Sequence, residues 1–187
     1  MRASGPDVPM TGRFGPASAS QPSVGGVVVD GRSIALRLGY VGSDFARFAI
    51  RAGGGSAAPC LVDVLGEKYV TIPVAARYRV AVEGPSDIRM ELGGSLGGSA
   101  SRVDVQARHT ARGLVLELRN NGLHEVGLDL RARAHADHET SVRLAGGGAL
   151  PLFWPVPDGH YDLEVTSPED DAFHRRVRGK TEPHPAD

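Results

Sequence analysis

Seven histidines and one cysteine are the first residues in this 187-residue chain to test for catalytic or metal chemistry. In His135-Ala136-Asp137-His138 two imidazoles flank a carboxylate. On a strand, positions 135 and 137 share a face while His138 points away, and no third strong donor is near, so the run reads as a solvated loop rather than a zinc site. His109, His124, His160, His174 and His184 fall on separate segments. No nucleophile elbow or comparable local motif accompanies them, so nothing supports a Ser/His/Asp machine. The glycine runs Gly53–Gly55 and Gly146–Gly148 lack the following helix and the Lys-Ser/Thr pair of a phosphate cradle, and read as loops. The lone Cys60 excludes an internal disulfide and a thiolate zinc cluster. Within CLVDVL it reads as a small core residue, with a reactive thiol as the alternative. No cofactor is implied.

The densest chemistry lies in Leu150–Lys180, which holds the only Trp. Trp154 and Tyr161 could wall a site for a quaternary ammonium group, or pack at strand ends. Arg175, Arg176, Arg178 and Lys180 form the densest basic cluster. On a strand Arg176 and Arg178 share one face. The plain reading is an edge strand whose charges block edge-to-edge aggregation. The functional reading is contact with anionic or zwitterionic lipid headgroups, or with a partner domain.

Bulk properties narrow the class. Net charge is −1, so no nucleic-acid partner is expected. No apolar run approaches the roughly twenty residues of a membrane span. The opening MRASGPDVPMTGRFGP has no apolar stretch after its first arginine, so no signal peptide is expected in this chain. The chain reads as either a cytoplasmic protein or a piece of something larger, the second being favoured.

The elements that position these side chains are short strands. Residues 1–22, rich in Pro, Ser, Gly and Ala, read as a disordered tail, and 181–187 as a second tail. Between them, VVV, SIALRL, ARFAIRA, CLVDVL, YVTI, YRVAVEG and DIRMEL give seven strand candidates at intervals of roughly eight to twelve residues. VDVQAR, LVLELR, EVGLDLRA, TSVRLA, ALPLF, YDLEVT and AFHRRV give seven more. In YRVAVEG the set Tyr78, Val80, Val82 alternates with Arg79 and Ala81, the mark of a half-buried strand. No helix candidate survives.

The halves echo one another. Leu36, Leu38 and Gly42 match Leu116, Leu118 and Gly122, while Tyr78, Val80, Val82 and Pro85 match Tyr161, Leu163, Val165 and Pro168. Gly93 is matched with Gly179, the extra residues falling in the turn Glu169–Asp171. The expectation is an all-β chain of two small tandem immunoglobulin/fibronectin-like β-sandwiches. They would occupy 23–93 and 103–180, joined by a flexible Gly/Ser linker at 94–102.

Gly159–Gly179, GHYDLEVTSPEDDAFHRRVRG, resembles the closing motif of the C-terminal domain of bacterial phosphocholine-preferring phospholipases C. The motif is carried by Tyr161, Asp162, Phe173, Arg175, Arg176 and Gly179, with Trp154 upstream, and it departs at His160, where the family often has an aromatic. Tyr78–Arg89 looks like the first of two such copies, with Ser86-Asp87-Ile88 in place of the usual turn residues. Nothing resembles the family's metal-dependent N-terminal α/β domain, so no catalytic residue carries over. The resemblance implies a non-catalytic accessory region of a secreted or periplasmic parent enzyme. Its expected partners are the catalytic phosphoesterase domain and a phospholipid membrane surface, with Trp154, Tyr161, Arg175, Arg176, Arg178 and Lys180 as contact residues. A general adhesion or carbohydrate-binding tandem sandwich is the alternative, and it needs an exposed aromatic platform.

Overall fold

A computed structural model describes residues 21–53, 58–110, 113–133, 138–156 and 158–181. The tail expected at 1–20, the C-terminal tail from 182, and His135, Ala136 and Asp137 lie outside the described residues. All fourteen strand candidates are strands. The first half contributes β1 (Gln21–Val28), β2 (Ser33–Val41), β3 (Ala46–Ala52), β4 (Cys60–Val64), β5 (Gly66–Pro73), β6 (Arg77–Glu83) and β7 (Arg89–Ser95). The second contributes β8 (Val103–Thr110), β9 (Gly113–Asn120), β10 (Val126–Ala132), β11 (Glu139–Leu144), β12 (Ala149–Pro155), β13 (His160–Ser167) and β14 (Asp170–Lys180). No helix occurs among the described residues. Gln21 and Pro22, expected in the tail, open β1 because Gln21 pairs with Val41 and Pro22 with Tyr40.

The strands form two antiparallel sheets, ordered β12-β9-β8-β1-β2-β5 and β11-β10-β13-β14-β7-β6-β3-β4. Each half gives three strands to the first sheet and four to the second, in the same order. The inner faces carry the alternating apolar residues read from the sequence. Leu36, Leu38, Val80 and Val82 of one half and Leu116, Leu118, Leu163 and Val165 of the other belong to one buried cluster. Burying each such side chain stabilises the fold by about 1.5–3 kcal/mol.

Two pairings join the halves into continuous sheets: β1 with β8, at Ser23↔Arg108 and Val24↔Ala107, and β7 with β14, from Arg89↔Arg178 to Gly93↔His174. At the first seam the Asp104 carboxylate accepts the Gly26 N–H at 3.0 Å, and Gln106 Nε2 donates to Ser23 Oγ at 3.3 Å. Burial pushes the Asp104 carboxyl above its ordinary value, with the Arg37 guanidinium opposing that shift.

Three expectations change here. The 94–102 stretch is ordered rather than a flexible linker. Gly94 and Ser95 end β7, Ala100 N–H donates to Asp170 Oδ2 at 3.0 Å, and Ser99 Oγ donates to the Glu169 carbonyl at 2.9 Å. Small residues at 97–101 let the chain run close beneath the β13–β14 turn, and those hydrogen bonds offset its conformational entropy. The arginine-rich strand β14 is not an edge; it lies between β13 and β7 near the middle of the eight-stranded sheet. Cys60 is exposed rather than in the core: alternation puts it on the face of Val62 and Val64, but it opens the edge strand β4, along which burial begins only at Val62.

Candidate functional site

The residues of the closing motif converge, and what they build is the fold. Tyr161 stands directly across from Gly179, where a Cβ would come within 2.6 Å of the tyrosine oxygen, so the glycine makes room for the ring. The first half does the same with Tyr78 opposite Gly94. Gly94, not Gly93, is therefore the counterpart of Gly179; the sequence match was off by one because two adjacent glycines offer the same letter. The Tyr161 hydroxyl lies 2.5 Å from His109 Nε2 on β8, bridging the two sheets. Burial lowers the His109 imidazole to about 4 and pushes the Tyr161 phenol up, so the pair is neutral.

Arg175 falls in the basic cluster read from the sequence, yet it is 0% exposed. Being paired with Leu92 on one side and Val165 on the other, it points inward with Phe173 and Val177. Its Nη1 donates to the carbonyls of Gly93 at 2.6 Å and His174 at 2.9 Å, and Nη2 donates to the Tyr78 hydroxyl at 3.2 Å. The guanidinium carbon stands 4.3 Å from the Phe173 ring centroid. Trp154 and Tyr161 are 5% and 6% exposed, and the Trp154 and His138 rings meet edge to face with centroids 4.6 Å apart. Neither can serve as the aromatic platform a carbohydrate-binding reading needs.

Arg176, Arg178 and Lys180 do face outward, each with an acid. Arg176 grips Asp162 through two nitrogens, Nε at 2.8 Å and Nη2 at 2.5 Å, and that hydrogen bonding holds the Asp162 carboxyl below and the Arg176 guanidinium above their usual ranges. Arg178 reaches Glu91 at 3.2 Å, and Lys180 reaches Asp87 at 2.6 Å. Asp87, Asp162, Arg178 and Lys180, though not Arg176, line with Glu83, Arg89, His160, Tyr161 and Gly179 an open cleft of about 590 Å³ between the β6–β7 turn and the ends of β13 and β14. Ser86 and Asp87 turn that corner with positive φ of 54° and 55°, which non-glycine residues seldom adopt. Arg89 pairs with Glu83 at 2.8 Å, so the cleft is a lattice of compensated charge. Among the described residues no group of three His, Cys, Asp or Glu side chains could hold a metal ion.

Sequence reasoning missed a cluster of exposed apolar side chains at one corner. Val41, Phe45 and Leu65 are 57%, 62% and 63% exposed. Tyr40 pairs with Gly66 and Ala46 with Val64, which puts the three at neighbouring chain positions where β2, β3, β4 and β5 meet. The usable signal was apolar residues at or just beyond the ends of the alternating runs.

Residues 99–180 match the family model of the bacterial phospholipase C C-terminal domain. That span takes in β8–β14 and the whole closing motif. No curated protein matches the chain.

Proposed function

We propose that this chain is the non-catalytic accessory region of a bacterial phospholipase C and that it holds its parent enzyme against a phospholipid surface. The observation that carries this reading is the family match over 99–180. The arrangement of the motif supports it: Tyr161, Phe173, Arg175 and Gly179 are spent on packing and seam hydrogen bonds, so the motif builds a scaffold and leaves the outer surfaces to make contact. The first half, with its Tyr78–Gly94 pair and identical strand order, is read as a duplicate of the same module. The parent acts outside the cytoplasm, and its catalytic phosphoesterase domain is a separate unit.

The contact surface is redrawn by the burial of Trp154, Tyr161 and Arg175. Arg176, Arg178 and Lys180 sit in a neutralised lattice, which suits a zwitterionic surface better than a strongly anionic one. Val41, Phe45 and Leu65 supply the apolar anchor. Moving such side chains out of water contributes about 1.5–3 kcal/mol each, and that term survives salt where charge attraction does not.

Co-sedimentation with phosphatidylcholine vesicles, with and without anionic lipid over a salt series, tests the reading. Binding that persists at high salt and falls in the Phe45→Ser, Leu65→Ser double variant supports it. An absence of binding at any salt overturns the membrane role and leaves packing on the catalytic domain as the accessory function.

A further inference from the structure

The cleft at the Tyr161 end has a counterpart at the Tyr78 end, built from corresponding positions and chemically different. Around Tyr78, a hollow of about 240 Å³ is lined by Arg77, Arg79, Gly93, Gly94, Ala172 and His174. Across the sheet the row in this hollow reads Arg79, Gly93, His174; the corresponding row in the larger cleft reads Asp162, Arg178, Arg89. Where Arg178 fills the middle of its row and pairs with Glu91, Gly93 leaves the middle of its row open.

Nothing in the backbone demands that glycine. Gly93 has no positive φ, and a Cβ there would meet only His174 Cβ at 3.6 Å and two carbonyl oxygens at 3.9 Å, ordinary contact distances. The charge balance differs as well. The acid corresponding in place to the partner of Asp162 is Glu91, and Glu91 is taken by Arg178 from the neighbouring strand. Among the described residues Arg77 and Arg79, both exposed, then have no ion-pair partner. Among the described residues two acids bond the hollow's walls: Glu164 bonds His174 at 2.8 Å and Arg133 at 2.6 Å, and Asp170 accepts the N–H groups of Ala172 at 3.2 Å and Ala100 at 3.0 Å. Directly behind the floor lies the buried Arg175, donating to the carbonyls of Gly93 and His174 and to the Tyr78 hydroxyl, with no carboxylate partner among the described residues.

We propose that the hollow at Gly93 binds a phosphate-class oxyanion, gripped by the Arg77 and Arg79 guanidiniums beside His174. Two guanidinium forks on one face match the geometry of tetrahedral oxyanions, and a concave floor backed by a buried cation strengthens the attraction relative to open solvent. The site does not rest on the membrane-docking reading, since binding of free phosphate tests it without lipid.

Titration of the chain with inorganic phosphate at constant ionic strength, followed by NMR of the arginine side chains, tests it. Saturable shifts of Arg77 and Arg79 are expected. Removing one charged hydrogen-bond donor with Arg79→Gln lowers affinity about tenfold. Gly93→Arg, which copies the corresponding position of the other cleft, abolishes binding although it adds positive charge. Gly93→Leu, with the fold checked by its denaturation midpoint, does the same without changing charge. Phosphate binding that is absent, or that survives all three substitutions, or that rises in Gly93→Arg, overturns the proposal. Competition between phosphate and vesicles carrying phosphatidic acid then names the source. Displacement of bound vesicles by phosphate assigns the site to a lipid headgroup, and phosphate binding without vesicle binding assigns it to a soluble phosphate; both support the site.

Discussion

Met90 and Arg175 occupy the same inward place on the last strand of their halves, Met90 across from Val82 and Arg175 across from Val165. Both are fully buried. One is a flexible apolar filler, the other a cation. A second such pair is Val28 and His109, late on the first strand of each half and both buried. The difference follows from the two tyrosines. Each half buries one against a cross-strand glycine, and each hydroxyl needs a hydrogen-bond partner. The second half supplies both: His109 serves its own Tyr161, and Arg175 crosses the seam to serve Tyr78. Two halves with one strand order thus divide the labour unequally, with the apolar version of each position in the first half and the polar version in the second.

The largest effect should come from breaking that division at the seam. Arg175→Ala removes the donor to two carbonyls and a hydroxyl and opens a cavity, at a cost of about 3–5 kcal/mol in a urea melt. Arg175→Met installs the first half's residue. It fills the volume and removes a buried charge, so it should cost less than half as much. Equal losses for Ala and Met would mean that the guanidinium's hydrogen bonds, rather than its bulk, hold the halves together.

His109 gives the next effect, read through pH. Its folded-state value, about 4, lies below the ordinary 6.5, so the unfolded chain takes up the proton first as pH falls. The stability from burying it neutral is whole above 6.5 and is lost progressively toward 4, by up to about 3 kcal/mol. Asp162, held down by Arg176, loses its contribution only below the ordinary carboxylate value of 3.8, so the two windows separate. The double variant His109→Val, Tyr161→Phe copies Val28 and removes both polar partners together. Its stability between pH 6.5 and 4 should be flatter than that of the parent chain; an unchanged slope would place the sensitive group elsewhere.

The glycines opposite the tyrosines should separate the halves again. At Gly179 a Cβ would press on the Tyr161 ring and come within 3.1 Å of the Asp87 carbonyl, and a backbone atom cannot swing aside. At Gly94 the three nearest atoms all belong to the Tyr78 side chain. Gly179→Ala is therefore expected to cost about 1–3 kcal/mol and Gly94→Ala less, measured as denaturation midpoints.

Much of this was legible before any coordinates. The alternation in YRVAVEG and LVLELR named the inward residues, and the match of Tyr78 with Tyr161 marked equivalent hairpins, because period-two burial and turn chemistry are local properties of the chain. What was not legible lies at the seams. Arg175 reads as an exposed cation among Arg176, Arg178 and Lys180, since a sequence does not say that β7 will pair with β14 and leave carbonyls for a guanidinium to satisfy. The stretch 94–102 reads as a linker by composition, because its hydrogen bonds run to residues seventy positions away. The Gly93 hollow is invisible for the same reason, being defined by what its neighbours across three strands lack.

The smallest effect bears on that hollow. Asp162 and Arg176 sit diagonally across β13 and β14 and grip one another; Arg79 and Glu91 hold the reversed arrangement across β6 and β7, but Glu91 bonds Arg178 instead. Arg176→Gln should therefore cost up to about 1 kcal/mol, the range of a partly exposed ion pair. Arg79→Gln should cost close to nothing without ligand, since it breaks no pair. Adding phosphate should reverse the inequality's meaning: the parent chain's midpoint rises by ligand linkage, Arg176→Gln rises with it, and Arg79→Gln rises less. A charge whose removal is silent until an anion arrives is what distinguishes a binding residue from a structural one.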